Sequence, residues 1–426
     1  MLYLSTEFLC LIAVSFQWYM CNMGRVGKKL KMKWLKISLS TLRQLMVEKM
    51  DRERKISYYF PHLFVEKEVK LPIGTLTPFQ AESNDLKIRH EEFNGGSLFK
   101  LNGMPEISKF DRETNFRVNR AVELLKFAYF SKSVPHAVSP SGFVSLETFD
   151  MFILIENHVD NSFEHKIVVS NGMSDFSHSA DQVLLSRQNQ AVNSIYVNES
   201  NFDFDLTGTP ESLDKKSQLY SVVHLYNKTW ELQSLFNSFL DKPILAKTTF
   251  EVLYEYNGGK KKQLKSFAFD FVDMIYSFVG EHKDSDLALA LTNMIEAHKD
   301  EIVSNINNAL NNLKKTRDSL VHDGRQDFDT SAIKFYMVWF PIYWSLTINR
   351  ESLTKGHVFR FLCFLCLCKH LPATWDNIEL SDEPPYLPKY SHLACYVMKS
   401  NQLAHNLDDE YSNVILKSIE NWLKEN

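Results

Sequence analysis

The chain has 426 residues, 44% of them hydrophobic and 23% charged, enough for two or three folded domains with sizeable cores. A net charge of -4 excludes a protein that coats nucleic acid by bulk charge, while leaving room for local contact with a few phosphates. Six unevenly placed cysteines make no disulfide framework and point to a reducing compartment, the cytoplasm.

Residues 1–50 form an apolar and basic extension. Met1 to Met23 is apolar and aromatic, and Arg25, Lys28, Lys29, Lys31, Lys33 and Lys36 follow it. A secretory signal carries its charge before the apolar run and a small-residue cleavage site after it, and neither is present. Three readings stay open: a start site placed too early, with Met46 or Met50 as the real beginning; a membrane anchor that holds the remainder in the cytoplasm; or a folded extension.

Residues 51–210 have the texture of a β-rich domain. Short apolar or alternating runs at 69–73, 97–101, 143–146, 151–155 and 166–169 are separated by turn residues such as Asn94-Gly95-Gly96, Asn102-Gly103 and Asn171-Gly172. One helix interrupts them near Phe116 to Phe130, with Val118, Ala121, Leu124, Leu125 and Phe127 on its apolar side. Helices dominate residues 211–372. Periodicity predicts Gln218 to Leu240, Leu264 to Val279, Ser285 to His298, Glu301 to Val321, Ser331 to Ile348 and Thr354 to Lys369. Pro341 is expected to kink or split the fifth of these. Lys242 to Gly259 is more strand-like and ends in Asn257-Gly258-Gly259, which suggests an inserted hairpin. A proline-rich linker occupies 373–390, and 391–426 reads as one or two short helices. The fold class is α+β.

Chemistry concentrates near the end of the fourth helix of this bundle, at Lys314-Lys315-Thr316-Arg317-Asp318-Ser319-Leu320-Val321-His322-Asp323-Gly324. Arginine keeps its proton and offers a planar fork of donors that suits phosphate oxygens. Histidine takes and gives a proton near neutral pH. The pair is a minimal kit for cleaving a phosphodiester without a metal. Spacing alone does not distinguish it, since Arg350 to His357 is a second match. Context does: Ile302, Ile306, Leu310, Leu313 and Leu320 make an apolar stripe, Arg317 lies at its edge, and Gly324 is placed to stop the helix just after His322. Residues five apart on an α-helix are separated by roughly 140° and about 7.5 Å of rise. Arg317 and His322 therefore share a site only if the last turn unwinds or a second chain completes it.

The octapeptide Arg317-Asp318-Ser319-Leu320-Val321-His322-Asp323-Gly324 resembles the motif of HEPN domains, in particular the Apea-like HEPN proteins of bacteria. Ribonuclease members carry an arginine, four to six residues and a histidine, often with a polar residue directly after the arginine, the place of Asp318. The resemblance spans roughly residues 215 to 370. It implies a helical bundle that dimerises and cleaves RNA without a metal or cofactor, in antiphage defence or a toxin system, with Arg317, His322 and Asp318 as the catalytic set. Lys314, Lys315 and Ser319 are then the candidates for holding flanking RNA. Some members of the family do not cut RNA, so a dimerisation or nucleotide- or RNA-binding module is the alternative.

Other motifs are weaker. Cys363, Cys366, Cys368 and His370 are the densest run of metal-ligand types, but they sit among Phe361, Leu362, Phe364, Leu365 and Leu367, where cysteine acts as a small hydrophobe, and no metal is assigned to them. Phosphate loops, zincin helices and nucleophile elbows are absent from the sequence. Phe335, Tyr336, Trp339, Phe340, Tyr343 and Trp344 follow a helix expected to pack on the motif helix, where rings at the cleft are also placed to stack a base.

Overall fold

The computed structural model describes residues 54–79, 95–103, 112–132, 146–149, 151–157, 162–168, 178–179, 194–199, 201–208, 218–230, 242–259, 266–282, 286–323 and 330–369. The expectations for residues 1–50, for the linker at 373–390 and for the helices at 391–426 lie outside these residues. Among the described residues the fold is α+β, and no helix is long and apolar enough to cross a membrane.

The β part is an antiparallel sheet of seven strands. They are β1 (Arg54–Phe60), β3 (Val69–Leu71), β4 (Gly74–Pro78), β5 (Ser97–Leu101), β6 (Met151–Asn157), β7 (Ser162–Val168) and β8 (His178–Ser179), in the order β3-β4-β5-β1-β6-β7-β8. Register follows side-chain alternation: Tyr58 lies between Phe99 and Ile153, and all three are buried. A short parallel pair, β2 (Leu63–Phe64) with β9 (Ile195–Tyr196), stands beside it. Gly96 is held at φ 125°, where a Cβ would meet the carbonyl oxygen of Phe60 at 2.3 Å, so the turn before β5 requires glycine. Of the run expected as a strand at 143–146, residues 143–145 lie outside the described residues; Leu146 belongs to a 3-10 turn, Leu146–Phe149, which buries Phe149 among aromatic rings.

Among the described residues there are eight α-helices: α1 (Arg112–Phe130), α2 (Gln218–Trp230), α3 (Lys242–Tyr256), α4 (Phe267–Glu281), α5 (Asp286–Ala297), α6 (Lys299–Asp318), α7 (Thr330–Thr347) and α8 (Lys355–Lys369). α1 precedes residue 210 in the chain, yet it lies among the later helices. Phe127 meets Tyr226, Phe340 and Trp344 edge-on, and Phe130 stacks on Trp230. Buried residues of sheet and helices belong to one continuous cluster.

The segment expected as a hairpin, Lys242 to Gly259, is a helix. Its β-branched and aromatic residues suit a strand, but Ala246, Thr249, Phe250 and Leu253 recur at helical spacing and are buried together. Asn257-Gly258-Gly259 acts as a helix stop rather than a hairpin turn. Gly258 takes φ +82°, its N–H donates to the Glu255 carbonyl at 3.0 Å, and the Gly259 N–H donates to the Tyr254 carbonyl at 2.9 Å, a Schellman closure.

α7 runs through Pro341 without a break. Proline has no N–H and leaves the carbonyl four residues back, that of Met337, without its helical partner. The buried Tyr226 hydroxyl of α2 donates to that carbonyl at 2.7 Å. The helix stays whole because a neighbouring helix supplies the missing donor.

Tyr226→Phe should therefore cost about 1–2 kcal/mol in urea unfolding, because it leaves a buried carbonyl unmatched. Combining it with Pro341→Ala restores a backbone N–H, so the double variant should lose less than the sum of the single changes. Strict additivity would show that the hydroxyl does not serve this carbonyl.

Candidate functional site

α6 presents the motif. Ile302, Ile306, Leu313 and Thr316 are buried, and they fasten one face against α3, α7 and α8. Asn305 adds a specific tie: its amide donates to the carbonyls of Cys368 and Lys369, both at 3.0 Å, and so satisfies groups that the C-terminal end of α8 leaves open. Lys314 and Lys315 are exposed; Arg317, Asp318 and Ser319 are half-buried; His322 is exposed. Gly324 lies outside the described residues.

The helix changes form within the Arg317–His322 segment. Ser319–Asp323 is a single π-helical turn, and the Ser319 N–H at its start is shared between the carbonyls of Lys315 and Thr316. A π-turn is wider than an α-turn and rotates less per residue. It therefore reduces the angular offset between residues five apart, the offset that separates Arg317 from His322 on an ideal helix. The Arg317 guanidinium is held by the neighbouring Asp318 carboxylate, Nη1 to Oδ1 at 2.9 Å. That contact engages one of its five donors.

The competing arginine–histidine pair is used structurally. Arg350 reaches Glu281 at 3.2 Å on the surface. His357 is buried at the start of α8, where its Nδ1 accepts the Thr354 backbone N–H at 3.1 Å, the reach-back half of a capping box. Its proton then sits on Nε2, which faces Asp205 at 3.9 Å. Asp203, Asp205 and His357 place one ligand-type atom each within 4.8 Å of one another. The chemistry of that set is poor for a cation. Asp203 is already bound by the Arg360 guanidinium at 2.8 Å, and the nearby Lys132 and Arg360 charges hold its carboxyl below its ordinary range despite complete burial. Burial, opposed by Asp203, leaves the Lys132 ammonium at about 8.

Sequence reasoning missed a second polar constellation, between α1 and α2. Glu123 is buried and accepts from Lys126 Nζ at 2.8 Å, from Asn227 Nδ2 at 3.0 Å and from His224 Nδ1 at 3.2 Å. Burial alone would raise its pKa, but the Lys126 charge and these donors outweigh it and bring the carboxyl down to about 2. An anionic carboxylate only accepts, so the His224 proton sits on Nδ1. One turn away, Arg120 lies between the rings of Phe116 and Tyr220, 4.3 Å from each. The spacings Arg120, Glu123, Phe127 on α1 and Tyr220, His224, Asn227 on α2 are helical, but the partners lie about a hundred residues apart in the chain, so no local pattern pairs them.

Of the run Cys363, Cys366, Cys368 and His370, the side chain of Cys363 and the whole of His370 lie outside what is described; Cys366 and Cys368 are buried, and burial pushes the Cys366 thiol up to about 12. The rings of Phe335, Tyr336, Trp339, Phe340, Tyr343 and Trp344 are all buried core, so none is available to stack a base from outside. Compared with known protein families, curated proteins and solved structures, the chain shows no match in any of the three.

Glu123 generates a pH prediction. Its folded pKa is depressed, so its contribution to stability is present above the ordinary value of 4.5 and is lost as the pH falls toward about 2. The loss should be on the order of 3 kcal/mol across that window. Denaturant titrations at several pH values should show a steeper acid decline in the parent than in Glu123→Gln. Equal slopes would remove Glu123 from the account.

Proposed function

We propose that the chain is a metal-independent endoribonuclease of HEPN type, acting as a dimer through its helical part. The observation that carries the reading is the π-turn at Ser319–Asp323, which ends a core-anchored helix and leaves His322 exposed beyond the half-buried Arg317. Single π-turns are rare and concentrate at functional sites. The resemblance of the octapeptide to HEPN ribonucleases supplies the reaction class, and with it the proposal of a cytoplasmic role in bacterial antiphage defence or a toxin system.

In this mechanism the ribose 2′-OH beside the scissile bond attacks phosphorus. His322 takes its proton or delivers one to the leaving 5′ oxygen. Arg317 stabilises the charge that builds on the non-bridging oxygens, and Asp318 fixes the plane of its guanidinium. Lys314 and Lys315 hold the flanking phosphates, with Ser319 as a further donor. The products are 2′,3′-cyclic phosphate and 5′-hydroxyl ends.

Purified protein incubated with mixed RNA in EDTA should cleave it, and Arg317→Ala and His322→Ala should each lower the rate by at least about a hundredfold. Both side chains lie outside the core, so circular dichroism should be unchanged. Cleavage undiminished in both variants would sink the assignment, and RNA bound but never cut would leave the binding-module reading in its place. Partial rescue on mixing the two inactive variants would show that one cleft draws its arginine and histidine from different chains.

A further inference from the structure

α6 carries more asparagine than a helix needs. Asn305, Asn307, Asn308, Asn311 and Asn312 fall within eight consecutive positions. Asparagine is a poor helix former, because its amide competes for the backbone and prefers caps and turns. Asn305 has a structural task at the end of α8. Among the described residues, no side-chain hydrogen bond holds the amides of Asn307, Asn308, Asn311 or Asn312; Asn308 and Asn311 are exposed, and the other two half-buried. A local rule broken without structural gain marks a place where something outside the chain makes use of the groups.

Their positions are ordered. Ser304, Asn308, Asn311, Lys315 and Asp318 stay within about 40° of one line along the helix and cover about 21 Å. The first four are exposed, and the line leads into the π-turn that carries His322. Lys314 is exposed beside it, one helical heptad beyond Asn307. The stripe is thus a polar row in which Ser304 and two uncharged amides lead to Lys315, and the carboxylate at its far end, Asp318, is already paired with Arg317. It contains no apolar residue, so covering it with a second copy of the chain would release no apolar surface. A polyanion whose monomers display planar donor–acceptor edges fits both halves.

We infer that this stripe is the track for the RNA strand: single-stranded and adenine-containing, with Asn308 and Asn311 hydrogen-bonded to base edges and Lys314 and Lys315 on phosphates. The inference rests on the ribonuclease reading, and it names the substrate of that same site. An asparagine amide matches the adenine N6 and N7 positions with one donor and one acceptor. Single strands expose those edges, whereas the deep major groove of duplex RNA hides them.

The test uses the full chain carrying His322→Ala, so that RNA is bound without being cut, and fluorescein-labelled oligoadenylate and oligouridylate read by anisotropy. Oligoadenylate should bind about tenfold more tightly. Adding Asn308→Ala with Asn311→Ala should erase that preference. Alanine favours helix, so the melting temperature should not fall. Adding Lys314→Ala with Lys315→Ala should weaken both oligomers alike and flatten the salt dependence. Unchanged affinity and preference in the asparagine variant would overturn the inference. So would a loss of dimer mass in light scattering with RNA binding intact, which would assign the stripe to a second copy. If the His322-intact protein cleaves RNA while the asparagine variant keeps the same base preference, only the track fails. If no form binds or cuts RNA, the ribonuclease reading fails with it.

Discussion

A helix that is apolar on every side can exist in water only with neighbours around its whole circumference, and α7 is such a helix. From Phe335 to Leu346 every side chain is buried, including Pro341 and Ser345. Phe250 of α3, Phe267 and Phe271 of α4, Tyr226 of α2 and Phe127 of α1 meet its rings from different directions. That requirement draws α1 out of the β-rich part and into the bundle. It also fixes where chemistry is available: α7 is covered from Phe335 to Leu346, so solvent-facing function falls to the helices around that stretch, and α6 is one of these.

α6 divides its two faces between these demands. One side is core, with Ile302, Ile306 and Leu313; the other is polar for its whole length. The surface pair of Arg317 and Asp318 is by itself worth little in water, so its importance is directional rather than energetic. The buried clusters behave in the opposite way. Glu123 with Lys126, His224 and Asn227, and Asp203 with Arg360, bind α1 and the segment after β9 to α2 and α8. Removing one partner strands a buried charge, which typically costs about 3–5 kcal/mol. These pairs resist sliding where an apolar contact would tolerate it.

Much of the bundle was legible because its helices carry clear periodicity: the boundaries expected for α6, α7 and α8 fall within a few residues of those observed. α3 was not, since a glycine pair after a β-branched run suits a hairpin and a Schellman stop equally well, and only burial decides. β1 gave no signal, because Tyr58, Tyr59 and Phe60 are consecutive and all buried, so the alternation that marks a half-exposed strand is missing. At the candidate site, the angular mismatch between Arg317 and His322 could be read from spacing, whereas the π-turn that lessens it could not. The cluster around Glu123 was out of reach for a different reason: tertiary pairing over about a hundred residues leaves no periodic trace.

The bond from Tyr226 to the Met337 carbonyl joins groups 111 residues apart. During synthesis α2 therefore leaves the ribosome long before its acceptor exists, with a hydroxyl destined for complete burial still needing water. α7, when it arrives, carries a gap in its own ladder that no local residue can fill. Each helix is thus incomplete without the other, and closing the loop between them brings a large entropic barrier before any reward. The bundle should form late and all at once, and a chain truncated before α7 should remain open and prone to aggregate rather than fold as a smaller domain.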